Sequence, residues 1–251
     1  MCRLLGVLSA KNVNATWVRQ FRELAKTGIT LEKDGKGHQD GWGIVCYTDR
    51  NPIYLGREPA SPFADQKYDM VIRSFDSGTI RTRTLVGHLR RAPKGSEISL
   101  NNTPPFIYGQ WTFCMNGSTE GFEPPLNIPL KGTTSGEKLF NYMLPGIIPD
   151  LEKPEEKRIM DSVRDAKKFM KSYKALNFII ANGEKLLAYR DVDEKNASGY
   201  LYTLKYCRTE DNVVVCSEPL TVHNPEKDWD DIKNGQMLIA DSDLKIRFLQ
   251  I

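Results

Sequence analysis

The sequence predicts an α+β fold in which the helices are segregated from mixed sheets. Strand patterns dominate the start of the chain, two long helical patterns occupy its middle, and strand patterns return at its end. Asn182-Gly183, between two apolar runs, is typical of a tight hairpin. No repeat, low-complexity tract or linker is evident, so the 251 residues are predicted to form a single domain, 1–251.

The first half of the chain is predicted to contain one helix and several strands. The helix covers 14–27, where Trp17 and Phe21 recur at helical spacing, and it ends before Gly28. The predicted strands are 3–9, 42–48, 51–55, 84–90 and 106–117, the last ending in Asn116-Gly117.

The second half begins with two predicted helices and continues as strands. The helices cover 135–144 and 154–173, and the second carries Ile159, Met160 and Val163 on one face. The predicted strands are the hairpin 176–191 and the runs 199–206, 212–217, 235–240 and 244–249.

Composition excludes several classes of function. The 35 basic and 32 acidic residues give a net charge of +3, too even to indicate a nucleic acid or a membrane as partner. The apolar stretch 4–10 is too short for a secretory signal or a membrane span. The five cysteines lack close spacing and are odd in number, which argues against a disulfide framework or a metal site. We therefore expect a cytoplasmic protein without metal or cofactor.

Cys2, directly behind Met1, has two interpretations. It could open a buried strand as a small hydrophobe. It could also become the N-terminus once Met1 is removed, with its α-amine serving the sulfur as base, because an α-amine has a pKa of about 7.7–8.0. The three histidines, His38, His88 and His223, are candidate bases, but no cysteine-protease signature surrounds Cys2.

Other polar residues could complete such a site. Asn116 and Gly117 could donate N–H groups to an oxyanion, although Asn-Gly is also a favoured hairpin turn. Arg90 could bind a carboxylate or form a surface ion pair, and His88 alternates with it along the strand. His38, in a Gly-rich bend, could line a cleft or be a loop residue held by hydrogen bonds.

The order of five motifs is more specific than any one of them. CRLLG, HQDGWGI, GHLRRA, NNTPPF and MNG follow one another as in the class II glutamine amidotransferases, a branch of the N-terminal-nucleophile hydrolases. The chain most resembles their stand-alone members, such as the amidohydrolase of the ergothioneine pathway, and the likeness extends into the C-terminal strands. The resemblance implies a four-layer αββα sandwich of two mostly antiparallel sheets.

The resemblance also implies roles for individual residues. Cys2 would be the nucleophile and, through its amine, the base, while the Asn116 side chain and the Gly117 backbone would form the oxyanion hole. Arg90 would bind the α-carboxylate of a glutamine or γ-glutamyl amide, which reacts through a γ-glutamyl thioester. His38 is a further candidate for substrate binding. Because no synthase module is attached, an ammonia-accepting synthase is a candidate partner.

Two positions depart from the family pattern. Ser135 stands where relatives carry an aspartate that pairs with the substrate's α-ammonium, which weakens glutamine recognition by about 1–3 kcal/mol. Glu137 is retained and could either compensate or be an ordinary helix surface residue. Pro104 replaces a histidine, whereas Asn102 and Phe106 match. Both changes fall around the substrate pocket, so they predict altered specificity.

Two other function classes compete with an amide hydrolase. A catalytically idle binding or regulatory module on the same fold would fit the changes at Ser135 and Pro104. A thiol redox or metal role is disfavoured, because the chain has no CxxC and no paired Cys/His spacing.

Overall fold

Two antiparallel sheets lie face to face between two helical layers. The computed structural model describes residues 1–30, 37–147, 153–195, 199–221 and 228–250. Within these ranges the helices are α1 (Ala15–Thr27), α2 (Gln66–Asp76), α3 (Ser135–Ile147) and α4 (Glu155–Ala166). The strands are β1 (Arg3–Ser9), β2 (Gly41–Thr48), β3 (Asn51–Glu58), β4 (Thr84–Arg90), β5 (Phe106–Tyr108), β6 (Trp111–Glu120), β7 (Ser172–Ala181), β8 (Leu186–Arg190), β9 (Lys205–Arg208), β10 (Asn212–Cys216), β11 (Asp230–Asp231), β12 (Gln236–Ala240) and β13 (Ile246–Gln250).

The strand order places both chain halves in each sheet. In the described residues, seven strands form the first sheet in the order β11-β9-β10-β1-β4-β2-β3, and six form the second in the order β13-β12-β8-β7-β6-β5. The N-terminal strand β1 is therefore internal, paired with β4 on one side and β10 on the other. The start of the chain is thus held inside a sheet.

Alternation along β1 shows how each sheet becomes buried on both faces. Leu4 and Leu8 point into the apolar layer between the sheets, whereas Leu5 and Val7 pack against the helical layer. Side chains of a strand alternate between faces, so a strand that is apolar at nearly every position suits a sheet covered on both sides.

Each outer layer is a pair of amphipathic helices. Helices α1 and α2 cover the first sheet with Phe21 and Tyr68, and α3 and α4 cover the second with Phe140 and Ile159. The Asn14 side chain caps α1 by accepting a hydrogen bond from the Thr16 backbone N–H at 2.8 Å. The predicted four-layer αββα sandwich of antiparallel sheets is confirmed.

The predicted strand over 106–117 is a hairpin. Gly109, with φ of +54°, lies in the turn between β5 and β6. Strand β6 continues through Asn116-Gly117 to Glu120, paired with β7. The hairpin-turn interpretation of Asn116-Gly117 is therefore wrong, because both residues lie inside a strand.

Two other elements have boundaries that differ clearly from the prediction, and one helix was not predicted. The helix expected over 154–173 ends at Ala166, because the residues from Ser172 onward pair with the far end of β6. The strand expected over 199–206 begins only at Lys205, since the Tyr202 carbonyl accepts hydrogen bonds from side chains. Helix α2 was not predicted. None of the helices in the described ranges has the length and apolar character needed to cross a membrane.

Candidate active site

Cys2 lies at the edge of the inter-sheet layer, where β1 begins. Strand β1 runs antiparallel to β4 with Arg3 opposite Leu89, so Cys2 lies beside the end of β4. Its Sγ is 3.8 Å from the Arg91 carbonyl oxygen. The buried Arg3 guanidinium donates from Nη1 to the Cys2 carbonyl at 2.9 Å and forms an ion pair with Glu218. These contacts fix the backbone on both sides of the thiol.

Asn116 reaches Cys2 from the opposite sheet. The backbone N–H of Cys2 donates to Asn116 Oδ1 at 2.8 Å. The Asn116 side chain is fully buried, and its Nδ2 has no hydrogen-bond partner among the described residues. A buried amide N–H₂ without a partner is energetically costly, which marks a place where a ligand oxygen would be stabilised.

Gly117 is required by close packing within the second sheet. A Cβ at this position would lie 1.8 Å from the Ala175 carbonyl oxygen on β7. The strand pairing shifts register immediately afterwards, between Ser118 and Thr119. Any side chain at Gly117 would therefore push β6 away from β7 and displace Asn116 with it.

The Cys2 thiol is electrostatically unlike the other cysteines. Burial raises its pKa, but the charge of the nearby His88, the N-terminal ammonium and a backbone hydrogen bond at Arg91 outweigh burial and bring the pKa to about 6. Burial instead raises the pKa of Cys46 to about 11. At neutral pH, Cys2 is therefore largely a thiolate, whereas Cys46 is a thiol.

His88 is the side chain that most lowers the pKa of the Cys2 thiol. It is 1% exposed and lies opposite Leu4 in the pairing of β1 with β4, on the face between the sheets. Neither ring nitrogen bonds an oxygen or nitrogen atom of the described residues. The imidazole is thus left to interact with the Cys2 sulfur.

His88→Gln is expected to raise the pKa of the Cys2 thiol by about 1–3 units, because it removes a charge that favours the thiolate. The pH dependence of alkylation by iodoacetamide measures this pKa, with the modified residue identified by peptide mass. His38→Gln, a matched change at a buried histidine that does not set the thiol pKa, is the control. An alkylation midpoint unchanged in His88→Gln would contradict the assignment.

Arg90 is the last residue of β4, and its guanidinium is buried. Its Nη2 donates to the Glu97 carbonyl at 3.0 Å, while Nη1 has no partner among the described residues. Burial lowers its pKa, and the charges of Cys2, Asp40 and Glu97 act in the opposite direction. A buried guanidinium near the thiol with an unused N–H group can bind a carboxylate.

His38 contacts Met1, the residue before Cys2. Its Nδ1 is 3.2 Å from the Met1 carbonyl oxygen, and the side chain is fully buried. Burial lowers its pKa to about 3, with a further contribution from the positive charge of Arg3, so the ring is neutral. The structure thus brings His38 to the N-terminal side of Cys2. His223 lies outside the described residues.

Ser135 and Glu137 begin α3 and are both engaged within the protein. The Ser135 hydroxyl accepts a hydrogen bond from the Thr119 hydroxyl at 2.8 Å. Both Glu137 carboxylate oxygens accept backbone hydrogen bonds, from Lys131 at 2.7 Å and Gly132 at 2.8 Å. Glu137 therefore shapes its own loop, and its contact with a substrate stays a prediction.

Asn102 is a residue whose importance the sequence analysis missed. It is fully buried, accepts from the Thr133 N–H at 2.7 Å and donates to the Glu97 carboxylate at 3.3 Å. It therefore ties the loop after β4 to the loop before α3. The NNTPPF motif was its signal. Pro104, in the same motif, packs over β2, where a Cβ on Gly43 would lie 2.4 Å from its carbonyl oxygen.

The cysteines and other candidate metal ligands were compared with the arrangements that a disulfide or a metal site requires. All five cysteines are free thiols. In the ranges that the structure covers, no group of three or more His, Cys, Asp or Glu side chains is arranged to hold a metal ion.

The sequence profile of the family described as glutamine amidotransferases class-II matches residues 1–206. The chain belongs to the class-II glutamine amidotransferases. A relative from Haemophilus influenzae, named as a glutamine amidotransferase by inference, is 26% identical over 98% of this chain and 86% of its own.

Solved structures show the same fold at lower identity. A class-II domain protein from Silicibacter pomeroyi has a TM-score of 0.66 at 17% identity, covering 100% of this chain and 99% of its own. Glutamine phosphoribosylpyrophosphate amidotransferase from B. subtilis has a TM-score of 0.68 at 15% identity, over 99% of this chain but 49% of its own. The present chain thus matches one half of that larger protein.

Proposed function

We propose that the protein is an amide hydrolase of the class-II amidotransferase type, in which removal of Met1 frees Cys2 to cleave a glutamine or γ-glutamyl amide. One observation carries this proposal: the Cys2 nitrogen lies 2.8 Å from Asn116 Oδ1, while the buried Asn116 Nδ2 has no partner in the part of the chain that the structure describes. The residues proposed as nucleophile and oxyanion donor belong to opposite sheets, far apart in sequence but adjacent in space.

The first step forms a thioester. Once Met1 is removed, the peptide nitrogen of Cys2 becomes an α-amine, and the Asn116 carbonyl oxygen is already placed to orient it. The amine carries the thiol proton as an ammonium, the thiolate sulfur bonds to the amide carbon, and the carbonyl electron pair moves onto oxygen. The low pKa of the Cys2 thiol reduces the free energy needed to form the thiolate.

The charge that develops on oxygen would be held by two N–H groups. Asn116 Nδ2 and the Gly117 backbone N–H are the proposed donors, and such donors act strongly where water is excluded. The α-ammonium returns its proton to the leaving nitrogen as the carbon–nitrogen bond breaks. Water, deprotonated by the same amine, then hydrolyses the thioester and releases the acid.

Substrate binding would rest on Arg90 and on a neutral Ser135. The free Nη1 of Arg90 supports its role as the partner of an α-carboxylate. Ser135 supplies a hydroxyl but no charge for the α-ammonium, so recognition of free glutamine would be weakened.

The fate of any ammonia is a separate part of the proposal. Any ammonia would pass to a synthase, or hydrolysis would itself be the physiological step. Five free thiols support a reducing, cytoplasmic setting.

The test is a pre-steady-state measurement on protein whose N-terminal Cys2 has been verified by intact mass. We expect a burst of amine, stoichiometric with enzyme, when a γ-glutamyl amide is added. A chloroketone analogue of glutamine should also add once, at Cys2, and suppress the burst. The buried thiol Cys46 should remain unmodified. Verified protein that shows neither burst nor adduct would contradict the proposal.

The alternative is a catalytically idle binding module. It is favoured by Ser135, whose hydroxyl is occupied by Thr119 where relatives carry a charged group. The mass of protein isolated from its native host discriminates between the two functions. Retention of Met1 there would leave Cys2 without a free amine and would support the idle module.

A further inference from the structure

Met1 occupies a defined apolar pocket next to the nucleophile. Its half-buried side chain packs against a cluster formed by Ala175, Val192, Leu201 and Tyr202, here called the Met1 pocket. All four lining residues are 5% exposed or less. This pocket is separate from the polar groups assigned to the substrate's glutamyl part, such as Arg90.

The walls of the Met1 pocket are held independently of Met1. Ala175 and Val192 face each other as an isolated antiparallel bridge beyond the paired part of β7 and β8. The Tyr202 carbonyl accepts hydrogen bonds from Asn177 Nδ2 at 2.8 Å and Arg190 Nε at 3.2 Å. Because these contacts do not involve Met1, the pocket would persist after Met1 is removed.

The Met1 pocket also borders the reacting sulfur. Burial and then the charge of Cys2 raise the pKa of Tyr202, so the phenol of this wall lies within electrostatic reach of the thiolate. The Met1 carbonyl oxygen instead lies 3.2 Å from His38 Nδ1. Met1 therefore divides into a polar end near His38 and an apolar end in the pocket.

The position of Met1 corresponds to the position of a leaving group. In the proposed reaction the leaving nitrogen takes its proton from the Cys2 α-amine, so the two nitrogens must come within about 3 Å. Met1 is bonded to that same α-nitrogen. A substituent on the leaving nitrogen would therefore extend into the space that Met1 fills.

We propose that the Met1 pocket binds an apolar substituent on the leaving amine, about as large as a methionine side chain. The substrate would then be an N-alkyl γ-glutamyl amide, or a similar amide with an apolar amine, and free glutamine a poorer substrate. This inference rests on the proposed function, since it assumes that Cys2 is the nucleophile. Binding of the leaving group would also supply part of the binding energy. It would thereby offset the weak recognition of the glutamyl α-ammonium by Ser135, which carries no charge.

The test compares two amides that differ only in the proposed substituent. Processed protein is assayed with the N-methyl and N-butyl amides of γ-glutamate, whose leaving amines have similar basicity, and with glutamine. We expect kcat/KM for the butyl amide to exceed that for the methyl amide by about 10-fold or more. The variant Leu201→Ala should bring the ratio closer to one, because it removes apolar contacts from the pocket.

A matched variant separates the pocket from general destabilisation. Leu220→Ala truncates a leucine that is similarly buried but packs in the apolar core between the first sheet and its helices, so its butyl-to-methyl ratio should stay at the wild-type value. A wild-type ratio near or below one, with glutamine and both amides hydrolysed, would overturn this inference alone. Absence of hydrolysis of all three substrates would overturn the proposed function and this inference with it.

Discussion

Replacing Cys2 by alanine is expected to lower kcat for amide hydrolysis by about four orders of magnitude or more, because the change removes the sulfur that we propose forms the thioester. The α-amine and the oxyanion donors would remain, but no side chain could form the acyl intermediate. Alanine is as small as cysteine and permits removal of Met1, so the variant should carry a free N-terminus. Released amine, measured at saturating substrate, reports kcat.

Two further variants make the Cys2 result specific. Cys2→Ser keeps a nucleophile of poorer reactivity and should retain a small residual rate, with a burst that disappears because acylation has become slow. Cys46→Ser removes a buried thiol whose pKa is raised to about 11. The folded variant should have the same kcat as the wild-type protein. Hydrolysis at the wild-type rate by Cys2→Ala would show that Cys2 is not the nucleophile.

Local sequence patterns predicted the elements that have a strong period or a marked boundary. Strand β1 and the start of α1 at Asn14 were located correctly, because an unbroken apolar run and a capping side chain are read within a few residues. Helix α2 was missed although Tyr68, Val71, Ile72 and Phe75 recur at helical spacing after the capping residue Asp65. The sequence therefore contained a helical pattern at α2, and the prediction overlooked it.

The contacts that assemble the site depend on residues distant in the sequence. The ion pair of Arg3 with Glu218 joins two residues more than two hundred positions apart, and no local pattern links them. Both carboxylate oxygens of Glu137 accept hydrogen bonds from backbone N–H groups of the loop before α3. The sequence pattern that suggested substrate binding by Glu137 contains no sign of these bonds. Side-chain partners are set by tertiary packing, so a motif can identify a residue without identifying its contacts.

His88 is a second residue whose contacts depend on strand pairing and not on the local sequence. A histidine on a buried strand is most often structural, and its neighbour Arg90 attracted the functional assignment. Only the pairing of β1 with β4 shows that His88 faces the same inter-sheet layer as Cys2. The electrostatics of the thiol were therefore outside the reach of sequence reasoning, whereas Cys2 could be singled out as a candidate from its place behind Met1 and the motifs that follow it.

Asn116→Asp is expected to lower kcat by about 10²- to 10³-fold, the loss typical of removing one oxyanion donor. The aspartate keeps an oxygen to accept from the Cys2 nitrogen, as Asn116 Oδ1 does at 2.8 Å. It replaces the unpartnered Nδ2 donor by a second oxygen, which repels the developing negative charge instead of stabilising it. The expected signature is a loss in kcat that exceeds any rise in KM, because the donor acts mainly in the transition state.

The matched control is Asn141→Asp, the same chemical change at a buried asparagine of α3 in the outer helical layer. Its Nδ2 contacts the Ile128 carbonyl at 3.5 Å, so its loss should affect thermal stability more than turnover. Rates are compared at temperatures well below the unfolding midpoint of each variant. If Asn116→Asp and Asn141→Asp lose activity to the same small extent, the buried N–H₂ of Asn116 does not serve the oxyanion, because Asn141 lies in the outer helical layer and not beside Cys2.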